Sequence, residues 1–228
     1  MKKIGTPFFI VNPKSYLYGE ESLQLALVAD KLAEKYEVEI FFTAPFVDLA
    51  NIKAHTKKIK VTAQHMDPLV PGRGMGHVLP ESLKAAGVEA VFLNHAEHLL
   101  NLTDLVKTIK RAKDLEMMTV VCADCVEEAV AIATLGPDIL LCEPTALIGT
   151  GNTSCFDYIM ETTTKIKEID ENILVMQASG ISTSEDVYQT IIHGADGTGA
   201  TSGILDAPDR TKKLEEMIQA IVKAKNEK

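Results

Sequence analysis

Residues 139–151 read ILLCEPTALIGTG, and this stretch contains the unit from which the fold is built. The apolar run from Ile139 to Cys142 predicts a buried strand, and it ends abruptly at the carboxylate of Glu143. Pro144 gives the following loop a stiff start, and the Gly-Thr-Gly tail gives it a permissive end, as a hinged lid requires. The stretch therefore predicts a strand that delivers an acid to its C-terminal end, beneath a lid.

Outward from this stretch, β-rich runs alternate with helical patterns along the whole chain. The predicted strands are 8–11, 38–42, 59–63, 90–93, 117–122, 139–142, 173–176 and a poor one within 194–203. The predicted helices are 21–35, 46–55, one from Pro80, 102–115, 126–135, 158–169, one opened by a capping box at 182–185, and 210–224.

Repetition of this unit decides between the possible α/β architectures. Eight units follow one another at a spacing of ~25–30 residues without a linker, which predicts a single domain over residues 1–228. Such a count favours a closed (β/α)8 barrel over an open doubly wound sheet. The segment 194–203 carries four glycines and no bulky apolar residue, so we expect an irregular, Gly-rich eighth strand.

Composition restricts the class of protein. The 228 residues are 46% hydrophobic and carry a net charge of −9, without a basic cluster interleaved with aromatic residues. Nucleic acid is therefore not an expected partner. The chain has no apolar run of bilayer length and no signal-peptide pattern, so we expect no membrane association and a cytoplasmic location. The four cysteines are interpreted as thiols of a reducing compartment.

Reactive side chains follow three of the predicted strands. Asn12 and Lys14 follow the first strand, His95 follows the fourth, and Glu143 follows the sixth. The C-terminal ends of the strands of a (β/α)8 barrel converge on one mouth. We therefore expect Asn12, Lys14, His95 and Glu143 to meet there, although they lie far apart in sequence.

Several motifs have counterparts in a known family. They are Asn12-Pro13-Lys14, Ala63-Gln64-His65, 76–81 (GHVLPE), 93–97 (LNHAE), 143–151 (EPTALIGTG) and 180–183 (GIST). Jointly they are specific, whereas none of them is specific alone. On these motifs the chain resembles the triosephosphate isomerase family in the short form typical of archaea and some bacteria, along nearly its whole length.

The resemblance implies a TIM barrel with aldose–ketose isomerase activity. It implies interconversion of dihydroxyacetone phosphate and D-glyceraldehyde 3-phosphate through an enediolate, without cofactor or metal, in glycolysis and gluconeogenesis. Glu143 would be the base, His95 a neutral electrophile at a helix start, Lys14 a fixed cation, and Asn12 an orienting or donating group. The implied partners are a phosphorylated small sugar and further copies of the chain, as a homodimer or homotetramer.

Phosphate is expected on backbone N–H groups of glycine-rich loops. The candidate residues are Gly149 in the lid, Ser179 and Gly180 after the seventh strand, and Ser202 and Gly203 after the eighth.

Departures from the family pattern leave alternatives open. Ala96 replaces a serine that holds the resting carboxylate, Met75 replaces an interface threonine, and Ala178-Ser179-Gly180 replaces Gly-Ala-Gly. In the eighth strand, Gly199 and its neighbours lack the family's bulk, which could enlarge the floor of the pocket. An isomerase of a longer ketose phosphate, such as a tetrulose phosphate, and an inactive barrel that only binds phosphorylated ligands are therefore the alternatives.

Overall fold

The computed structural model describes residues 4–148, 150 and 153–228. In this part of the chain the parallel strands β1 to β8 follow one another around a closed barrel. Their bounds are β1 Phe8–Val11, β2 Ile40–Ala44, β3 Lys60–Ala63, β4 Ala90–Leu93, β5 Met118–Ala123, β6 Ile139–Cys142, β7 Leu174–Gln177 and β8 Gly197–Ala200. The predicted closed (β/α)8 barrel is confirmed.

Helices follow the strands and pack on the outside of the barrel. Their bounds are α1 Gly19–Tyr36, α2 Leu49–His55, α3 Pro80–Ala85, α4 Leu102–Asp114, α5 Val126–Ala133, α6 Phe156–Ile169, α7 Ser184–Ile192, α8 Ser202–Leu205 and α9 Arg210–Glu227. A 3-10 turn, Thr145–Leu147, follows β6. Across the described ranges, none of these helices combines the length and the apolar character that crossing a membrane requires.

Helix α7 begins with a capping box that lies one residue later than the sequence predicted. The side chain of Thr183 accepts from the backbone N of Asp186 at 3.1 Å. In return the Asp186 carboxylate accepts from the backbone N of Thr183 at 2.8 Å and of Ser182 at 3.0 Å. The expected pair, Ser182 with Glu185, was therefore wrong, because the short carboxylate of Asp186 reaches both amides.

Strand residues alternate between two apolar layers. Phe8, Ile10, Phe41 and Met176 belong to an inner cluster that fills the barrel, and their neighbours along the strands face the helices. The rings of Phe8 and Phe41 meet edge to face with centroids 5.6 Å apart. Because both sides of the strands are buried, their sequences are continuous apolar runs rather than alternating ones.

Strand β8 is regular where it meets β1, with four residue pairs from Phe8↔Gly197 to Val11↔Ala200. Strand β1 leaves no room for side chains at two positions of β8. A Cβ on Gly197 would lie 2.4 Å from the Phe8 ring, and one on Gly199 would lie 2.5 Å from the carbonyl oxygen of Ile10. Toward β7 only the pair Met176↔Gly197 forms, so the irregularity expected of this Gly-rich strand lies on that side. The missing bulk also leaves no open floor, because side chains of neighbouring strands occupy the space.

The strand ends place the predicted site. Asn12 directly follows β1, Asn94 and His95 follow β4, and Glu143 directly follows β6. Since all strands are parallel, these residues leave the barrel at the same end.

Candidate active site

The four predicted catalytic side chains line one cavity at this mouth. Asn12, Lys14, His95 and Glu143 surround a volume of about 240 Å³. Apolar residues of the inner layer, including Ile10, Phe92 and Leu141, form its floor. The structure thus brings together residues that lie up to five strands apart in the chain, while their catalytic roles stay predictions.

The loop after β1 fixes Lys14 through its own backbone. Lys14 has a left-handed conformation, with φ of 49°. The side-chain oxygen of Asn12 accepts from the Lys14 backbone N at 3.0 Å, and Gln64 Nε2 donates to the Lys14 carbonyl at 2.8 Å. Asn and Asp side chains stabilise such turns by bonding the backbone two residues on. Of the two functions expected for Asn12, this contact supports the orientation of Lys14.

Glu97 is a site residue that the sequence did not single out as functional. Its Oε1 lies 2.6 Å from Lys14 Nζ, and its side chain is 63% exposed whereas that of Lys14 is 17% exposed. Glu97 also lines the cavity. Its position two residues after His95 was the available signal, because a carboxylate beside a buried cation usually pairs with it.

His95 is held as a neutral ring. Its Nδ1 accepts a hydrogen bond from the backbone N of Glu97 at 3.1 Å, which leaves the ring proton on Nε2. Burial lowers the pKa of His95, the Lys14 charge lowers it further, and Glu97 opposes both. We expected a helix start as the cause, but α4 begins only at Leu102, so burial and Lys14 take that place.

Asn94, just before His95, ties two strands and a loop together. Its Nδ2 donates to the carbonyl of Cys122 at 3.1 Å, and its Oδ1 accepts from Leu100 N at 3.0 Å. Asn94 has φ of 58°, a left-handed conformation that asparagine tolerates better than most residues. This junction turns the chain sharply, so the His95 side chain lines the cavity.

Glu143 extends the barrel ladder by one residue and then leads into the loop that the sequence predicts to be a lid. Its backbone N donates to the carbonyl of Ala123 at 2.9 Å. Burial raises the pKa of the Glu143 carboxyl; Lys14 lowers it and Glu97 raises it. Burial at the strand end is thus the main cause of the raised pKa. A carboxyl with a raised pKa in a cleft is a candidate general base.

A second cavity lies behind Glu143. It encloses about 190 Å³ and is lined by Asn94, Ala96, Cys122 and Ile148, with Glu143 between it and the main cavity. Where the resemblance implies a serine hydroxyl for the resting carboxylate, Ala96 offers only a methyl group. The Glu143 carboxylate therefore faces a space without that donor.

The predicted phosphate residues do not all reach the cavity. Gly180 and Ser202 line it together with Thr201, which the sequence argument did not name. Ser179 is buried, and Gly203 lines a neighbouring cleft. A Cβ on Gly203 would lie 2.6 Å from the Ile181 carbonyl oxygen, so this glycine allows the loops after β7 and β8 to touch. Gly149 lies outside the described residues.

Two other kinds of site, a metal site and a redox-active cysteine pair, have little support among the described side chains. Within the described part of the chain, no three His, Cys, Asp or Glu residues are arranged to hold a metal ion. Asp67 lies 3.5 Å from His65 Nε2 and 3.2 Å from His77 Nδ1, so these histidines are explained as its partners. Cys122 and Cys125 are free, and burial raises the pKa of the Cys122 thiol well above its usual value. A reactive thiol needs the opposite shift.

Comparisons with known proteins cover the whole barrel. A family model described as Triosephosphate isomerase matches residues 7–222. The triosephosphate isomerase of Methanothermus fervidus is 34% identical over 93% of this chain and 97% of its own length. The triosephosphate isomerase of Methanobacterium bryantii is 36% identical over 95% of this chain and 97% of its own length. That of Sulfolobus acidocaldarius is 32% identical over 96% of both chains.

Proposed function

Since the chain belongs to the triosephosphate isomerase family, we propose that it interconverts dihydroxyacetone phosphate and D-glyceraldehyde 3-phosphate. Membership of this family makes it an isomerase. The proposed reaction moves a proton between adjacent carbons and changes their oxidation states internally, so it needs no redox cofactor. It places the chain in glycolysis and gluconeogenesis.

Three side chains divide the chemistry. Glu143 takes a proton from the carbon beside the carbonyl, and an enediolate forms. The Nε2–H of His95 and the ammonium of Lys14 stabilise the negative charge that develops on the oxygens. Glu143 then returns the proton to the neighbouring carbon, and the hydroxyl proton passes from one enediolate oxygen to the other by way of His95, so that the carbonyl and hydroxyl groups exchange places. Positioned donors of this kind contribute ~3–4 kcal/mol each to the stabilisation of a transition state.

One observation carries this proposal. Glu143 and His95 line the same cavity of about 240 Å³, and their pKa values are shifted in opposite directions, up for the carboxyl and down for the imidazole. A raised carboxyl pKa makes a stronger base, and a lowered imidazole pKa keeps the ring neutral and able to donate. A surface that only binds phosphate has no use for this pairing.

The phosphate end of the substrate is assigned to the part of the cavity formed by the loops after β7 and β8. Gly180 and Ser202 line it there, at the ends of β7 and β8. Loops seven and eight of such barrels frequently hold phosphate. Ser179, Gly203 and Gly149 remain predicted contributors of backbone N–H groups. Assembly as a homodimer or homotetramer is also proposed from the family resemblance, and light scattering after size-exclusion chromatography measures it.

Turnover of a panel of ketose phosphates tests the proposal. The purified protein is assayed with triose, tetrulose and pentulose phosphates, with and without a chelator. We expect triose phosphates to react fastest and the chelator to change nothing. Phosphate binding without turnover of any substrate would instead favour the inactive binding barrel, and a loss of rate with the chelator would favour a metal enzyme.

Replacement of the base tests the mechanism in the same assay. Glu143→Gln should reduce kcat by roughly 10²–10⁴-fold, while inorganic phosphate should inhibit it as before. Glu168→Gln, which removes an exposed carboxylate on α6 away from the cavity, is the matched control and should retain the rate. A Glu143→Gln protein with a near-normal rate would rule out the proposed base.

A further inference from the structure

The floor of the main cavity contains one flexible side chain. Met176, on the inner face of β7, lines the cavity beside Ile10, Phe92 and Leu141 and is 2% exposed. Methionine has an unbranched side chain that fills irregular gaps and adapts to its surroundings. The other three floor residues are branched or aromatic and pack in the inner layer with fewer conformations available.

Met176 occupies the place that a side chain of β8 would take. A Cβ on Gly199 would lie 2.9 Å from Met176 Cε and 2.5 Å from the carbonyl oxygen of Ile10. The second contact involves backbone, so no side chain fits at position 199 unless β1 or β8 moves. The depth of the cavity beneath the substrate is therefore set from β7, by Met176.

The proposed reaction fixes both ends of the substrate. In that reaction the carbonyl end would lie between Glu143 and His95 and the phosphate end near Gly180 and Ser202, all four of which line the cavity. A substrate with one more carbon between these ends must bend to fit the same distance. If it bends toward the barrel interior, the additional carbon contacts Met176. The hydroxyl on that carbon would also face an apolar floor, where a polar group without a partner costs free energy.

We propose that Met176 determines the chain length of the substrate, excluding tetrulose phosphates by filling the floor of the cavity beside Gly199. This inference rests on the proposed isomerase function. The sequence suggested that Gly199 enlarges the pocket and so determines substrate length. We assign this role to Met176 instead.

Truncation of Met176 tests the inference. Met176→Ala removes Cγ, Sδ and Cε from the floor, whereas Met176→Leu keeps it filled. We expect Met176→Ala to raise the ratio of kcat/KM for tetrulose phosphate to that for triose phosphate by roughly tenfold or more, since one carbon in a fitted pocket has an effect of this size. Met176→Leu should keep the ratio near that of the unaltered chain.

A matched truncation controls for loss of packing. Met117 is also 2% exposed but belongs to the outer apolar layer and does not line the cavity. Met117→Ala should lower stability without changing the ratio. Should Met176→Ala fail to fold, Met176→Val is measured in its place. An unchanged ratio in the folded Met176 variant, or an equal change in Met117→Ala, overturns the proposal.

Calorimetric titration separates this result from failure of the proposed function. If the unaltered chain turns over neither substrate, the isomerase proposal fails, and the affinities for dihydroxyacetone phosphate and tetrulose phosphate still report on the floor. A gain in tetrulose phosphate affinity confined to Met176→Ala supports the inference, and equal affinities in all variants overturn it.

Discussion

At the scale of single residues, Glu97 links the charges of the site. It neutralises Lys14 at 2.6 Å, and its negative charge raises the pKa of both Glu143 and His95. Protonation of Glu143 removes the base, and protonation of His95 removes the neutral donor, so activity should fall as the pH falls.

Removal of the Glu97 charge should therefore shift the pH profile. In Glu97→Gln the pKa of Glu143 and that of His95 should both fall, so the acid limb of kcat/KM should move to lower pH. The amide oxygen can still accept from Lys14 Nζ, which limits structural change. The substrate phosphate titrates equally in all proteins and cancels in the comparison.

Glu168→Gln removes the same charge from an exposed position of α6 and should not shift the acid limb of the kcat/KM profile. An acid limb that moves to higher pH in Glu97→Gln, or does not move, would contradict the electrostatic role of Glu97. The measurement is a series of initial rates across the acid range for the three proteins.

The sequence predicted single site residues where local rules suffice. Asn12, Lys14, His95 and Glu143 are each marked by an apolar run that stops, so strand-end reasoning placed them together. Met176 and Glu97 could not be found in this way. Whether Met176 faces inward depends on the register of β7, and the partner of Glu97 lies in a loop that is distant in sequence.

At the scale of elements, the loop after β5 holds the start of the loop after β6, which the sequence predicts to be a lid. Asp124 Oδ1 accepts from the backbone N of Thr145 at 2.5 Å, and this contact, with a further one to the Thr145 side chain, lowers the pKa of Asp124. Thr145 opens the 3-10 turn two residues after Glu143. One hydrogen bond therefore fixes the backbone two residues after the proposed base, at the start of the predicted lid.

Loss of this anchor should slow the reaction more than it destabilises the fold. Asp124→Ala should reduce kcat roughly ten- to hundredfold, because a small displacement of a catalytic group has effects of that order. Its melting temperature should change little, since Asp124 is exposed. Asp124→Asn keeps an oxygen acceptor and should recover most of kcat. Equal rates in the Ala, Asn and unaltered proteins would show that the contact does not position Glu143.

Element boundaries show where sequence patterns are reliable. Strands β4 and β6 have the predicted bounds, because apolar runs with sharp ends define them. Strand β2 lies two residues later than predicted, since Thr43 and Ala44 are fully buried despite their weak hydrophobicity. The observed capping box starts at Thr183, one residue later than predicted. Ser182 and Thr183 are equally good caps, and only the position of Asp186 distinguishes them.

At the scale of the whole molecule, the barrel closes through complementary sizes on β1 and β8. Phe8 fills the space opposite Gly197, and Ile10 fills that opposite Gly199. Repetition of the strand–helix unit was enough to predict closure. The sequence alone could not show that positions 197 and 199 are glycines because side chains of β1 fill the space beside them, since that requires knowing which residues pair between β8 and β1.

This complementarity predicts coupling between Gly197 and Phe8. Gly197→Ala places a Cβ about where the Phe8 ring lies and should lower the free energy of unfolding by about 1–3 kcal/mol, the usual effect of overpacking. Phe8→Leu should also destabilise, but the double variant should lose less than the sum, with a coupling of roughly 0.5–3 kcal/mol. Gly5→Ala is the control, because its Cβ would meet only ordinary contacts at 3.6 Å. Urea unfolding of the variants measures these energies, and strictly additive losses would show that the seam does not depend on the match between ring and glycine.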